Sequence, residues 1–366
     1  MKQIGITGAE GFLGWHLRAY FYCQGIAALC VTRTILASPQ QLSELVGQCD
    51  VVIHLAGMNR GDDVELEHTN VMLTEKLVAA CVATGRCRHI LFSNSTHVAT
   101  RDTAYARSKR ACAKLLQQWA DSQGAIFNDL ILPQLFGESG RPFYNSVTST
   151  FCHQLAIGEA PKIIQDAELE LLHAQRAAEY IHRLIAQPEP GAARPAGTTL
   201  TVTELLSKLS ALKDFYGAQL IPPLLDSFEL DLFNTYRSYL FPQHYPVSLP
   251  RHEDERGSLF EAVKSLHGGQ CFISTTKPGI TRGNHYHRRK IERFLVLSGE
   301  AMIRVRKLFS PQAVDFPVSG ARPQYVDMPA LHTHNITNTG TGELVTLFWS
   351  NEIFDPEQPD TYREIV

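Results

Sequence analysis

At 366 residues the chain is too long for one ordinary hydrophobic core, so two domains are expected. Its 34 Lys and Arg against 37 Asp and Glu leave a formal charge of −3, with no basic stripe of interleaved aromatics, which argues against nucleic acid as the main partner. Apolar residues make up an ordinary 44%, and no run approaches the length of a membrane span, so no membrane insertion is expected.

The first 135 residues alternate short apolar runs with helical stretches, as repeated βα units do. Strands are expected at residues 4–7, 28–32, 50–55, 89–93 and 126–132, and helices at about 12–23, 67–83 and 105–122. Parallel strands joined by helices make a doubly wound α/β sheet with ligands at the carboxyl ends of its strands. Met1-Lys2-Gln3-Ile4 leads directly into the first strand without a signal peptide, which points to the cytoplasm. Eight cysteines show no CxxC pair and read as buried, reduced thiols.

Directly after the first strand comes Thr7-Gly8-Ala9-Glu10-Gly11-Phe12-Leu13-Gly14. Glycines three apart at a strand-to-helix turn let the backbone approach a pyrophosphate, which then rests on the helix N-terminus around Phe12 and Leu13. This is the Rossmann-type arrangement. Arg33, at the end of the second strand, stands where an acidic residue would bind the ribose of NAD, and it favours the extra phosphate of NADP. His54-Leu55-Ala56-Gly57 closes the next strand, placing Leu55, Ala56 and Gly57 beside the cofactor. Ser93-Asn94-Ser95-Thr96 ends another strand, and Tyr105-Ala106-Arg107-Ser108-Lys109 opens a helix. Tyr105 and Lys109 are one helical turn apart, so the ammonium can lower the phenolic pKa toward the range that proton transfer needs.

These motifs resemble the extended, sugar-nucleotide branch of the short-chain dehydrogenase/reductase superfamily, and Asn70-Val71-Met72-Leu73-Thr74 is similar to that branch's Asn-Val-x-x-Thr helix. The resemblance implies Tyr105 as proton donor, Lys109 as its electrostatic partner and Ser95, or Thr96 one residue on, as the group that orients the carbonyl. Two segments depart from the branch's pattern. Ile131-Leu132-Pro133-Gln134 replaces Arg-x-Pro-Asn, and Gln175-Arg176-Ala177-Ala178-Glu179-Tyr180 stands where Val-Asp-Asp is expected, so the substrate wall reads as altered. The Pro/Ala/Gly-rich stretch 187–197 reads as a surface loop.

Thr201-Val202-Thr203-Glu204 reads as a capped helix start, opening a mixed helical segment to about residue 240. Phe241-Pro242-Gln243-His244-Tyr245-Pro246 then breaks the pattern, and short strands with Gly/Pro turns follow, as in a β-barrel or jelly roll. The expected domains are therefore 1–245 and 246–366.

In the second of these, Gly279, His285-Tyr286-His287, Glu292, Gly299, His334 and Asn338 recur at the spacing of the two cupin motifs. Histidines two apart share a strand face, and a carboxylate and a third imidazole from other strands can meet them at a point. His285, His287, Glu292 and His334 then form a set suited to a divalent transition metal such as zinc, iron or manganese, zinc being the one expected, with His332 in reserve. The second motif, Pro329-Ala330-Leu331-His332-Thr333-His334, has Leu331 where a glycine is usual. Asp254-Glu255-Arg256-Gly257 is similar to the opening strand of cupin-type epimerases acting on nucleotide-linked 4-keto sugars.

Tyr144-Asn145-Ser146-Val147, Lys277-Pro278-Gly279-Ile280-Thr281 and the tail Phe354-Asp355-Pro356-Glu357-Gln358-Pro359-Asp360-Thr361-Tyr362 extend the likeness over the whole chain. The chain resembles the CapF/WbjC-type bifunctional capsular-polysaccharide enzymes on the route to UDP-N-acetyl-L-fucosamine. The resemblance implies a cytoplasmic homodimer with NADP(H) and a metal. Its cupin would epimerise carbon 3 of a UDP-4-keto-2-acetamido-2,6-dideoxyhexose, and its reductase would then reduce carbon 4 to a 6-deoxytalose-type product. The cupin base is open among Tyr286, Lys290 and Arg256. A cupin of other metal-dependent oxygenase or isomerase chemistry, or a non-catalytic NADP-binding scaffold, is the alternative.

Overall fold

The computed structural model describes residues 2–98, 102–255 and 257–366. By compactness the chain forms two units, one of residues 1–136 with 168–200 and one of 137–167 with 201–366.

The first unit is built on a six-stranded parallel sheet in the order Leu29–Val31, Ile4–Thr7, Val51–His54, His89–Ser95, Ile126–Leu132, Gly191–Ala193. The first five agree with the expected strands within two residues at each end. The sixth falls inside the stretch expected to be a surface loop, where it pairs with Asn128–Leu130 at the sheet edge. Helices Phe12–Cys23 and Ala174–Ala186 cover one face through Leu17, Phe21 and Ile181. Asp63–Thr84 and Ala104–Gln123 cover the other through Leu77, Leu116 and Trp119. Both of these helices start on a side-chain cap, Asp62 or Thr103, and end on a left-handed glycine, Gly85 or Gly124. The strand order reverses between Ile4–Thr7 and Val51–His54, which opens a crevice at their carboxyl ends.

In the second unit the expected helix start is present as a full capping box, Thr201 and Glu204 bonding reciprocally at the head of Val202–Gly217. Strand Leu220–Ile221 and helix Ser227–Leu240 follow, and the strands of the two large sheets begin at Val247. Two five-stranded antiparallel sheets then form the cupin portion. One runs Val247–Ser248, Gln324–Met328, Glu292–Ser298, Leu344–Ser350, Gln270–Thr276. The other runs Ala313–Ser319, Glu300–Lys307, His332–Asn338, Thr281–Tyr286, Tyr362–Arg363. Phe294, Val326 and Phe348 of the first share a core with Ile303, Val305 and Ile336 of the second.

A buried polar network ties the helices to this core. Arg293 makes a two-pronged pair with Asp327 at 2.7 and 2.9 Å, and both are essentially fully buried. Tyr216 of helix Val202–Gly217 donates to the same carboxylate, and Arg237 of the next helix donates to the Met328 carbonyl. Burial would raise the Asp327 carboxyl, but the Arg293 guanidinium holds it below its usual value.

Among the described residues every cysteine is free, and Cys271 is exposed rather than buried because it lies on the edge strand Gln270–Thr276.

Arg293→Ala leaves Asp327 buried without its counter-charge and is expected to cost about 3–5 kcal/mol in urea unfolding. An effect under about 1 kcal/mol would contradict the role given to the pair. Because the Asp327 pKa is depressed in the folded state, its stabilisation is complete above an ordinary carboxylate pKa of about 4 and is lost as pH falls below it.

Candidate functional site

At the crevice of the first unit, the turn after Ile4–Thr7 has no room for side chains. A Cβ on Gly14 would lie 2.2 Å from the Gly8 carbonyl oxygen, and Gly8, at φ +68°, packs against the backbone of Leu55 and Ala56. Helix Phe12–Cys23 therefore begins tight against the sheet, with Gly11 as N-cap and no acidic side chain in its first turn. The first amides of a helix have no acceptor within it, so this end suits a pyrophosphate. Arg33 is exposed as the first residue of the short helix Arg33–Ala37, immediately beyond the second strand.

A buried hydrogen-bond chain fixes the loop that carries Leu55, Ala56 and Gly57. Thr7 Oγ1 accepts the amides of Leu55 and Ala56, each at 3.1 Å, so its own proton goes to His54 Nδ1 at 2.7 Å. His54 Nε2 must then carry a hydrogen, which it gives to Thr74 Oγ1 at 3.2 Å, and Thr74 donates to the Asn70 carbonyl. Burial pushes the His54 pKa down to about 3, so the imidazole is neutral. Asn70 brackets Met58 through both its amide and its carbonyl, and its side chain also donates to Ser108 Oγ at 3.0 Å. Asn70 thus joins this loop to the helix of Tyr105 and Lys109. Thr7, His54 and Asn70 lay in segments the sequence marked, but their supporting roles depend on contacts between distant segments.

Lys109 is buried, donates to the Ser93 carbonyl at 2.7 Å and lies 4.4 Å from the Phe92 ring centroid. Its ammonium is 5.7 Å from the Tyr105 ring centroid, so the expected neighbours are brought together. Burial pushes Lys109 down to about 8. Burial also raises the Tyr105 phenol, the reverse of the lowering expected from the ammonium. Ser95 ends its strand half-buried, and Thr96 opens a 3₁₀ turn.

The expected substrate wall at 175–180 is in large part interior. Gln175 is buried and donates to both the ring and the carbonyl of His16 at 3.0 Å, joining helices Phe12–Cys23 and Ala174–Ala186, and Ala177 and Ala178 are core residues.

In the second unit, His285, His287, Glu292 and His334 bring ligand atoms within 4.8 Å of one another. Glu292 starts a strand of one sheet, whereas His285 and His334 face each other in register on the other, so the group lies between the sheets. The strand bearing His285 is bulged, with Gly283 and Asn284 both at positive φ, and it ends at Tyr286, so His287 stands just beyond it. Glu292 Oε2 is 3.4, 3.0 and 3.4 Å from Nε2 of His285, His287 and His334.

The Nδ1 atoms of His287 and His334 lie 2.5 and 3.0 Å from the carbonyl oxygens of Asp360 and His332. A carbonyl only accepts, so both rings are protonated at Nδ1 and turn Nε2 inward, as metal ligands do. His287 Nε2 is buried without a hydrogen bond, which fits a cation at this point. Burial would raise the Glu292 carboxyl, but the surrounding imidazoles, His287 foremost, hold it well below its usual value. This donor set fits a divalent metal.

His332 stays outside the group. Its Nδ1 bonds the Ala330 carbonyl at 2.9 Å, its ring packs edge-on against Phe241, and burial lowers its pKa to about 4. Leu331 adopts φ 60°, so the usual glycine conformation is kept by a fully buried leucine. Asn338 bonds the carbonyls of Thr276 and Gly342 and closes the strand end. Of the three candidate bases, Tyr286 is fully buried and stacks on Tyr362, Lys290 bonds Thr361, and Arg256 lies outside the described residues.

Residues 4–196 match the NAD dependent epimerase/dehydratase family, and residues 252–362 match the polysaccharide biosynthesis C-terminal domain. The chain is 32% identical to UDP-2-acetamido-2,6-beta-L-arabino-hexul-4-ose reductase of Pseudomonas aeruginosa, over 98% of each protein. It is similar in structure to the capsular polysaccharide assembling protein CapF of Staphylococcus aureus, with 35% identity, TM-score 0.65 and complete coverage of both chains. It also shares the fold of UDP-N-acetylglucosamine 4-epimerase from Bacillus cereus, at 21% identity and TM-score 0.53 over 58% of this chain and 82% of that one.

Gly14→Ala forces the glycine turn apart and is expected to weaken binding of NADPH by at least about tenfold in a fluorescence titration. Unchanged binding would remove the turn from the cofactor site.

Proposed function

We infer the function from one premise: the chain belongs to the CapF-type capsular-polysaccharide enzymes, an NAD dependent epimerase/dehydratase domain joined to a polysaccharide biosynthesis C-terminal domain. It is an enzyme of the sugar-nucleotide epimerase/reductase class with a nicotinamide cofactor. We propose that its cupin portion epimerises carbon 3 of a UDP-4-keto-2-acetamido-2,6-dideoxyhexose, and that its reductase then reduces the ketone at carbon 4 with NADPH to the 6-deoxytalose-configured product. The reading includes a cytoplasmic homodimer.

The observation that carries the proposal is that one chain brings Lys109 beside Tyr105 in its first unit and gathers His285, His287, Glu292 and His334 within 4.8 Å in its second. Tyr105 gives its phenolic proton to the ketone oxygen as hydride arrives at carbon 4, Lys109 offsets the charge left on the phenol, and Ser95 orients the carbonyl. Exposed Arg33 takes the 2′-phosphate, which selects NADPH. A proton beside a ketone becomes acidic only when the enolate is stabilised. A divalent metal such as zinc would be held by His285, His287, Glu292 and His334 and would supply Lewis acidity to that oxygen.

The test is incubation with the UDP-4-keto sugar in deuterated water without NADPH. Wild type and Tyr105→Phe are expected to place deuterium at carbon 3, and His285→Ala is expected not to. With NADPH added, Tyr105→Phe is expected to lose ketone reduction by at least about 100-fold. No exchange by the wild type with any divalent metal would overturn the epimerase assignment, and undiminished reduction by Tyr105→Phe would overturn the reductase assignment.

A further inference from the structure

Two of the metal-site residues flank one short connection: His287 precedes residues 288–291 and Glu292 follows them. The spacing of these two ligands is therefore set by the path of that loop. All four of its amides bond outward. Arg288, Arg289 and Lys290 donate their backbone N–H groups to the carboxylate of Asp360 at 3.2, 2.9 and 2.8 Å. Ile291 donates to Asn351 Oδ1 at 2.7 Å. Asp360 and Asn351 are 3% and 4% exposed, so these bonds are shielded from water. The same Asp360 uses its carbonyl to fix the His287 ring through Nδ1.

Asp360 also adopts a left-handed backbone, φ 44°, which a non-glycine residue holds only when its surroundings over-determine it. Arg289 pairs with Glu352 at 2.9 Å, and Lys290 Nζ bonds Thr361 Oγ1 at 3.3 Å, so the chain on both sides of Asp360 is fastened to the same loop. We propose that Asp360 is a positioning residue of the metal site, acting from the C-terminal tail through the 288–291 loop and the His287 tautomer. It touches neither metal nor substrate. Its carboxylate sets the separation of His287 from Glu292, and its carbonyl aims the His287 lone pair. The inference rests on the reading of the quartet as a metal site.

The test uses the full-length protein and cobalt(II), whose visible absorption reports ligand geometry. Asp360→Ala is expected to weaken cobalt binding about 10–100-fold and to change the shape of the visible bands. Asp360→Asn, which keeps one acceptor oxygen for the loop amides, is expected to recover part of both. Glu357→Ala, exposed on the same tail, is expected to match the wild type. If the wild type binds cobalt but Asp360→Ala and Asp360→Asn bind it with unaltered affinity and spectrum, the role of Asp360 is overturned while the metal site stands. If the wild type itself binds no cobalt or zinc, the metal reading fails and this inference fails with it.

Discussion

A carboxylate placed between two packed β-sheets needs compensating positive charge or it takes up a proton, and Glu292 is such a carboxylate. Three imidazoles of the facing strands and loop supply the compensation, and much of the local irregularity serves to bring them there. The bulge at Gly283 and Asn284 re-aims His285. The left-handed Leu331, whose amide bonds the His287 carbonyl, turns the chain toward His334. Backbone carbonyls hold the Nδ1 hydrogens so that Nε2 points inward. The result is a cage of one carboxylate and three imidazoles turned toward it.

The first unit meets a different demand with different means. A dinucleotide and a ketone require close backbone approach and a proton relay, so the site is made of glycine turns and neutral hydrogen bonds. The Thr7–His54–Thr74 chain is satisfied without a net charge, and Asn70 links the cofactor loop to the helix carrying Tyr105 and Lys109. Lys109 is the exception, a buried amine whose burial lowers its pKa to about 8. The two proposed chemistries would complement each other: an epimerisation beside a ketone runs in both directions, and reduction of the ketone removes the acidity that permits it.

The motifs that could be read from the sequence are those whose chemistry is local. Gly8, Gly11 and Gly14 lie within one turn, Tyr105 and Lys109 within one helical turn, and the metal set announces itself through His285, His287 and Glu292. What escaped the sequence depends on contacts between distant segments. Gly191–Ala193 is a strand only because Ile126–Leu132 offers it an edge, and its glycine and proline neighbours carry turn signals instead. Gln175 resembles a substrate-wall residue until His16 receives its side chain. His332 shares the spacing of a ligand, yet Ala330 and Phe241 hold its ring elsewhere. Tyr105 differs in sign because spacing places Lys109 one turn away but does not reveal the burial that raises the phenol. Asp360 stood in a segment marked only for its likeness to a family.

The central claim is that one chain moves a proton at carbon 3 and a hydride at carbon 4 of the same sugar. The direct measurement is mass and NMR analysis of the product formed by wild type from the UDP-4-keto sugar in deuterated water, with NADPH dideuterated at nicotinamide carbon 4. The account predicts a single product carrying solvent deuterium at carbon 3 and cofactor deuterium at carbon 4. A product labelled at carbon 4 alone, with carbon 3 unexchanged and uninverted, would contradict it.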